Sequence, residues 1–222
     1  MNSYQSAPSR LIKSPEAIEK MRIAGRLAAE VLDMIKPYIV PGVTTLELDT
    51  RCHDYIVNVQ NAIPACLGYG GGHGRPAFQH SICTSVNHVV CHGIPDEKPL
   101  REGDIVNIDV TYVLDGWHGD SSRMYPVGEI KRAAQRLLEV THECLMRGIA
   151  AVRPGARTGA IGEAIQAYAE AERCSVVRDF CGHGIGQLLR QFDRARRFGR
   201  MVDLVGRGGM TRHDDVETIL GK

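Results

Sequence analysis

The feature that most constrains this chain is the run Asp104-Ile105-Val106-Asn107-Ile108-Asp109-Val110-Thr111-Tyr112-Val113, closed shortly afterwards by Asp115-Gly116. Val106, Ile108, Val110 and Tyr112 alternate with Asn107, Asp109 and Thr111, the period of a strand with one buried face. An Asp-Gly pair favours a two-residue hairpin turn, whose central residues take positive φ. With that turn, Leu114 faces Trp117 and Thr111 faces Asp120. Asp109 and Asp120 then share the polar face as diagonal neighbours, with Cα atoms about 7–8 Å apart.

Two ionised carboxylates that converge repel each other and call for a proton or a cation between them. A divalent metal is the natural occupant, because carboxylates are hard oxygen ligands. The same pattern also suits the solvated outer face of a ribbon, and strand pattern alone leaves both open. His183, in Cys181-Gly182-His183-Gly184-Ile185-Gly186, is placed either to supply a nitrogen ligand or to sit in an ordinary glycine-rich turn. His92, in Cys91-His92-Gly93-Ile94-Pro95, has the same two readings. Cys83 and Cys91 have apolar neighbours and read as small buried hydrophobes.

The surrounding elements place this hairpin in an α+β context. Ser14-Pro15-Glu16 opens a helix with an apolar stripe at Ile18, Met21, Leu27, Val31 and Ile35. Pro41-Gly42 follows that helix, and Thr44 and Glu47 have the spacing of a capping box for a second helix through about Val59. Glycines crowd residues 64–80, a loop. Strand-like runs follow at 81–85 and 88–91, helices at about 129–152 and 159–172, and a short strand near 175–180. The chain also echoes itself. Each half reads helix, Pro-Gly turn (Pro41-Gly42, then Pro154-Gly155), helix, strand, then His-Gly-Ile (His92-Gly93-Ile94, then His183-Gly184-Ile185). That order points to a duplicated α+β unit.

Composition narrows the setting. A net charge of +1 gives no whole-chain reason to expect a nucleic-acid or membrane partner. The 7 cysteines are odd in number and include no CxxC pair, which points to reduced thiols and a cytoplasmic location.

The segments 81–87, 89–95, 103–111, 115–122 and 182–186, in that order, resemble the type I methionine aminopeptidases. The resemblance covers about residues 10–187, apart from the loop at 70–79. It implies a pita-bread fold of two pseudo-symmetric α+β halves around a two-metal centre holding cobalt, manganese, iron or zinc. It also implies hydrolytic removal of the initiator methionine from nascent polypeptides, with the ribosome as a candidate place of encounter. By position, Asp109, Asp120 and His183 would be metal ligands, and His92 would contact substrate and aid catalysis. Cys66, Tyr69 and Cys83 would line the methionine pocket.

The resemblance stops after Gln187. Leu189 and Arg190 stand where the family has an aromatic residue and a histidine. Seven arginines and no lysine occur between Arg190 and Arg212. After Gly209-Met210, Asp215 or Glu217 falls near the position of a ligand glutamate, and the chain ends before the second one. The expected organisation is a flexible segment at 1–12, most of an aminopeptidase domain at 13–187, and a divergent arginine-rich tail at 188–222 that leaves the second half incomplete. A reading-frame shift after about codon 187 would produce such a break. Loss of both glutamates would leave ligands for a single metal, or an aminopeptidase-like remnant without activity. The arginine-rich tail taken alone would suit nucleic acid, a reading that explains nothing else in the chain.

Overall fold

The computed structural model describes residues 12–72, 74, 76–177, 182–187 and 204–206. The expected segment at 1–12 lies outside these except for Ile12, as does the tail beyond 187 except for 204–206.

Helix α1, Pro15–Ile35, starts where the sequence places it, with the Ala17 amide donating to Ser14 Oγ at 3.2 Å. Its buried face is Ala24, Ala28, Val31, Leu32 and Ile35, whereas Ile18, expected in the stripe, is 46% exposed. The stripe shifts to small residues because a strand passes very close: a Cβ added to Gly119 would stand 2.5 Å from the Ala24 carbonyl oxygen. Helix α2, Thr45–Asp54, carries the full capping box, with the Glu47 amide donating to Thr44 Oγ1 and the Thr44 amide to the Glu47 carboxylate. The chain continues not as α-helix but as one π-helical turn, Tyr55–Val59.

Strands β1 (Ile63–Pro64), β2 (Ile82–Val86), β3 (Ile105–Leu114) and β4 (Trp117–Pro126) form one antiparallel sheet. β4 pairs along the whole of β3. β1 and β2 therefore share the other edge of β3, β1 opposite Val113 and Tyr112, β2 opposite Val110 to Val106. The chain leaves that edge after Ala65 and rejoins it at Ile82, so the ends of the intervening glycine-rich segment lie close together. Asp115 and Gly116 both have positive φ, as the two-residue turn requires. Residues 88–91 are not the expected strand. Positive φ at Asn87 and His92 brackets them in a turn, and extended pairing cannot pass through those angles.

Val106, Ile108, Val110 and Tyr112 are fully buried against α1 and α2, as their alternation requires. Two buried tyrosines satisfy their hydroxyls on helix α1, Tyr112 on the Ala24 carbonyl at 2.7 Å and Tyr125 on the Leu32 carbonyl at 2.6 Å. Helices α3, Arg132–Ala150, and α4, Gly159–Ala171, make a second, smaller core with β5, Cys174–Val176. The turns before α2 and α4 use the same device, Gly42 at φ 94° and Gly155 at φ 82°, which supports the internal duplication. β5 pairs antiparallel with β6, Leu204–Gly206, so the arginine-rich segment contributes a strand.

Candidate metal centre

The hairpin register puts Thr111 opposite Asp120 and Asp109 opposite Ser122. Asp109 and Asp120 are thus diagonal neighbours on the half-buried face, as the turn predicts. Thr111 Oγ1 donates to Asp120 Oδ1 at 3.2 Å, which leaves Oδ2 outside that bond. His183 Nε2 lies 3.5 Å from that Oδ2.

The other ring nitrogen decides what this contact means. His183 Nδ1 is 3.2 Å from the Gly184 carbonyl oxygen, which can only accept, so a hydrogen on Nδ1 finds a partner there and that tautomer leaves Nε2 for Asp120. In the neutral ring the Nε2 lone pair then points at a carboxylate oxygen. Two acceptors face each other, and a cation between them, a proton or a metal, resolves the conflict. A carboxylate pair plus a neutral imidazole with its Nδ1–H held by an acceptor is the donor chemistry of a divalent-metal site. In donor type, these residues suit the metal that the sequence resemblance implies. Among the described residues, however, no group of three or more His, Cys, Asp or Glu side chains stands close enough to hold a metal ion, Asp109, Asp120 and His183 included.

A segment far away in sequence is brought to the hairpin by His118. Its backbone N–H donates to the Gly186 carbonyl at 2.8 Å, and its Nδ1 lies 3.0 Å from the same oxygen. Neither this residue nor Thr111 stands out as a functional residue in the sequence. The strand period was the available signal for both, since His118 and Asp120 share a face of β4 and Thr111 lies opposite Asp120.

Cys83 is buried and pairs in register with Asp109. Ala65 donates to the Thr111 carbonyl at 2.9 Å, so Cys66 leaves the sheet beside the point where β2 rejoins it. The two thiols meet at the neck of the loop. Cys83 keeps its proton: sharing it with Cys66, then burial and nearby negative charge, push its pKa far up. Cys66, receiving that hydrogen bond, is held below the usual thiol range, against burial and the Asp109 charge. Tyr69, on the same loop, is 48% exposed. His92 is exposed, with φ 54°. Cys91, expected to be buried, is half-buried, because the turn from Asn87 to His92 carries it out of the sheet.

The sequence also gives no hint of the clamp that fixes the returning end of the loop. Buried Asp49 on α2 accepts from the Ser81 and Ile82 amides at 2.8 and 3.1 Å through Oδ1, and its Oδ2 lies 3.1 Å from His80 Nδ1. His53 Nδ1 is 2.7 Å from Ser81 Oγ. Leu189, Arg190, Asp215 and Glu217 lie outside the described residues, so the expected loss of the two glutamates has no structural counterpart here.

Comparison with known proteins places this geometry in context. Residues 19–211 match metallopeptidase family M24. The chain is 62% identical over 177 residues to the methionine aminopeptidase of Salmonella typhimurium, covering 79% of this chain and 65% of that relative. It therefore spans slightly less than two thirds of that protein. It is 54% identical over 202 residues to the methionine aminopeptidase of Escherichia coli K12, covering 90% of this chain and 74% of the relative. The crystal structure of methionine aminopeptidase from Rickettsia prowazekii superposes with a TM-score of 0.77 at 52% identity, covering 90% of this chain and 75% of that one. The fold is the α+β pita-bread fold of that enzyme.

Proposed function

Because this chain belongs to metallopeptidase family M24, and within it to the methionine aminopeptidases, we propose that it hydrolyses the N-terminal methionine from newly made polypeptides, at the ribosome or after release. The family uses divalent metal. The observation that carries the proposal for this chain is the meeting of Asp120 and His183, residues from the two halves, with Asp109 on the same face of the ribbon.

A bound divalent metal supplies a Lewis acid and lowers the pKa of water. The chain's own residues set up that chemistry. Asp109 and Asp120 offer carboxylate oxygens and His183 a neutral Nε2. Thr111 restricts Asp120 to one orientation. Cobalt, manganese, iron and zinc all suit this mixed oxygen and nitrogen set, holding one or two ions according to the ligands the rest of the chain provides. Cys66, Tyr69 and Cys83 are the proposed lining for the methionine side chain, polarizable groups suited to an unbranched thioether. His92, at the end of its turn, is the proposed contact for the peptide near the scissile bond. The proposed setting is the cytoplasm; among the described residues, no helix is long and apolar enough to cross a membrane.

A Met-Gly-Met peptide assayed with each of these metals tests the reading. Methionine release that requires metal and disappears in Asp109→Ala and His183→Ala is the expected result. A folded chain that releases no methionine with any of the four metals refutes it.

A further inference from the structure

We infer that His118 is a positioning residue that holds the segment carrying His183, so that the His183 Nε2 faces Asp120 across the proposed metal centre. The inference rests on that reading of the centre. It begins with the conformational freedom of the segment itself. Gly182, Gly184 and Gly186 alternate with His183 and Ile185, and glycine loses more backbone freedom on ordering than any other residue. An untethered His183 would sample many positions, few of them within reach of Asp120.

His118 supplies a tether at the right place. It lies two residues before Asp120 on the same strand face, and it binds the carbonyl of Gly186, three residues after His183. The two residues it joins are 68 positions apart in sequence. The backbone N–H of His118 reaches Gly186 from the edge of β4 not used by β3. Any non-proline residue at this position could make that bond. The imidazole makes a second bond to the same oxygen, so one residue engages both lone pairs of the carbonyl and fixes its direction as well as its distance. Because that carbonyl only accepts, the second bond is made with the hydrogen on Nδ1 of His118. His118 acts through His183, as outer residues orient the ligands of other metal sites.

The test uses cobalt(II) alone as the probe. Wild-type protein, H118L and H118N are titrated calorimetrically, and the paramagnetically shifted imidazole N–H resonance of ¹⁵N-histidine-labelled protein is recorded. The His183 signal is assigned by its loss in H183A. We expect H118L to weaken cobalt binding by about 10–100-fold and to broaden or displace the His183 resonance. H118N, whose amide can donate from nearly the same place as Nδ1, should restore most of both. A general packing role would instead make the two variants behave alike. If H118L does not fold, H118F, which keeps a ring without the donor, replaces it with the same two outcomes. Wild-type resonance and affinity retained in the donor-less variant overturn the inference and leave the metal centre standing. A wild-type protein with no His183-dependent cobalt signal overturns the metal centre and the inference together.

Discussion

Thr111 donates its hydroxyl to Asp120 Oδ1 at 3.2 Å from the position directly opposite on the β3–β4 ribbon. That bond selects which carboxylate oxygen is left for His183. Thr111→Val keeps the shape of this buried side chain and removes the donor. Asp120 becomes free to rotate, and cobalt affinity should fall by about 10–100-fold. Unfolding free energy should change by only about 1 kcal/mol, because the freed oxygen is still partly solvated. Calorimetric cobalt titration beside urea denaturation checks both, and an unchanged affinity would show that the hydroxyl does not orient the carboxylate.

Gly119 lies on the opposite face of the same strand, packed on α1. An added Cβ would stand 2.5 Å from the Ala24 carbonyl oxygen and 2.8 Å from its carbon. These are backbone atoms of a helix and cannot swing aside. Gly119→Ala should therefore cost about 1–3 kcal/mol, read from the urea midpoint. The displaced strand should also lower cobalt affinity, since Asp120 is the next residue. Wild-type stability in this variant would mean that α1 and β4 are less closely packed than described.

Asp49 ties the returning end of the loop to α2 through two amide hydrogen bonds and a contact to His80. Asp49→Ala strands two buried backbone donors, at about 1–3 kcal/mol each in general, so a loss of about 3 kcal/mol is expected by chemical denaturation. Asp49→Asn keeps an acceptor and should lose less. Limited proteolysis gives the local readout: cleavage within residues 66–80 should accelerate in the alanine variant. Equal cleavage rates would place the control of the loop elsewhere.

The parts of this molecule legible in the sequence are those specified by neighbouring residues. The Asp115-Gly116 turn and the alternation before it fix the hairpin register, and so the diagonal placement of Asp109 and Asp120. The helix caps at Ser14 and Thr44 are equally local. What the sequence conceals are contacts made by distant segments, such as His118 with Gly186 and Asp49 with Ser81. Ile18 falls on the periodic stripe yet is exposed, because period alone cannot show where a strand will press on a helix. Residues 88–91 form a turn although Val89 and Val90 look strand-like, because the positive φ at Asn87 and His92 depends on the whole turn.

The buried thiols and phenols make the fold sensitive to alkali. Burial pushes the Cys52 pKa from 9.0 up to about 12, aided by the Asp49 charge. Burial likewise raises Cys144 to about 11 and Tyr125 from 10.0 to about 12. Below pH 9 both folded and unfolded chains hold these thiol protons, and the contribution to stability is constant. Above it the unfolded chain releases protons that the folded chain retains. Stability therefore falls as pH rises from about 9 toward 12, at about 1.4 kcal/mol per pH unit for each group that differs by a full proton. Urea midpoints measured between pH 7 and pH 10.5 should be flat with respect to these groups at first and then decline. Cys52→Ala leaves a cavity and lowers the whole curve, but it should also make the alkaline decline shallower. That change of slope separates proton linkage from packing: a variant curve that runs parallel to wild type above pH 9 would mean that Cys52 does not hold its proton in the folded state.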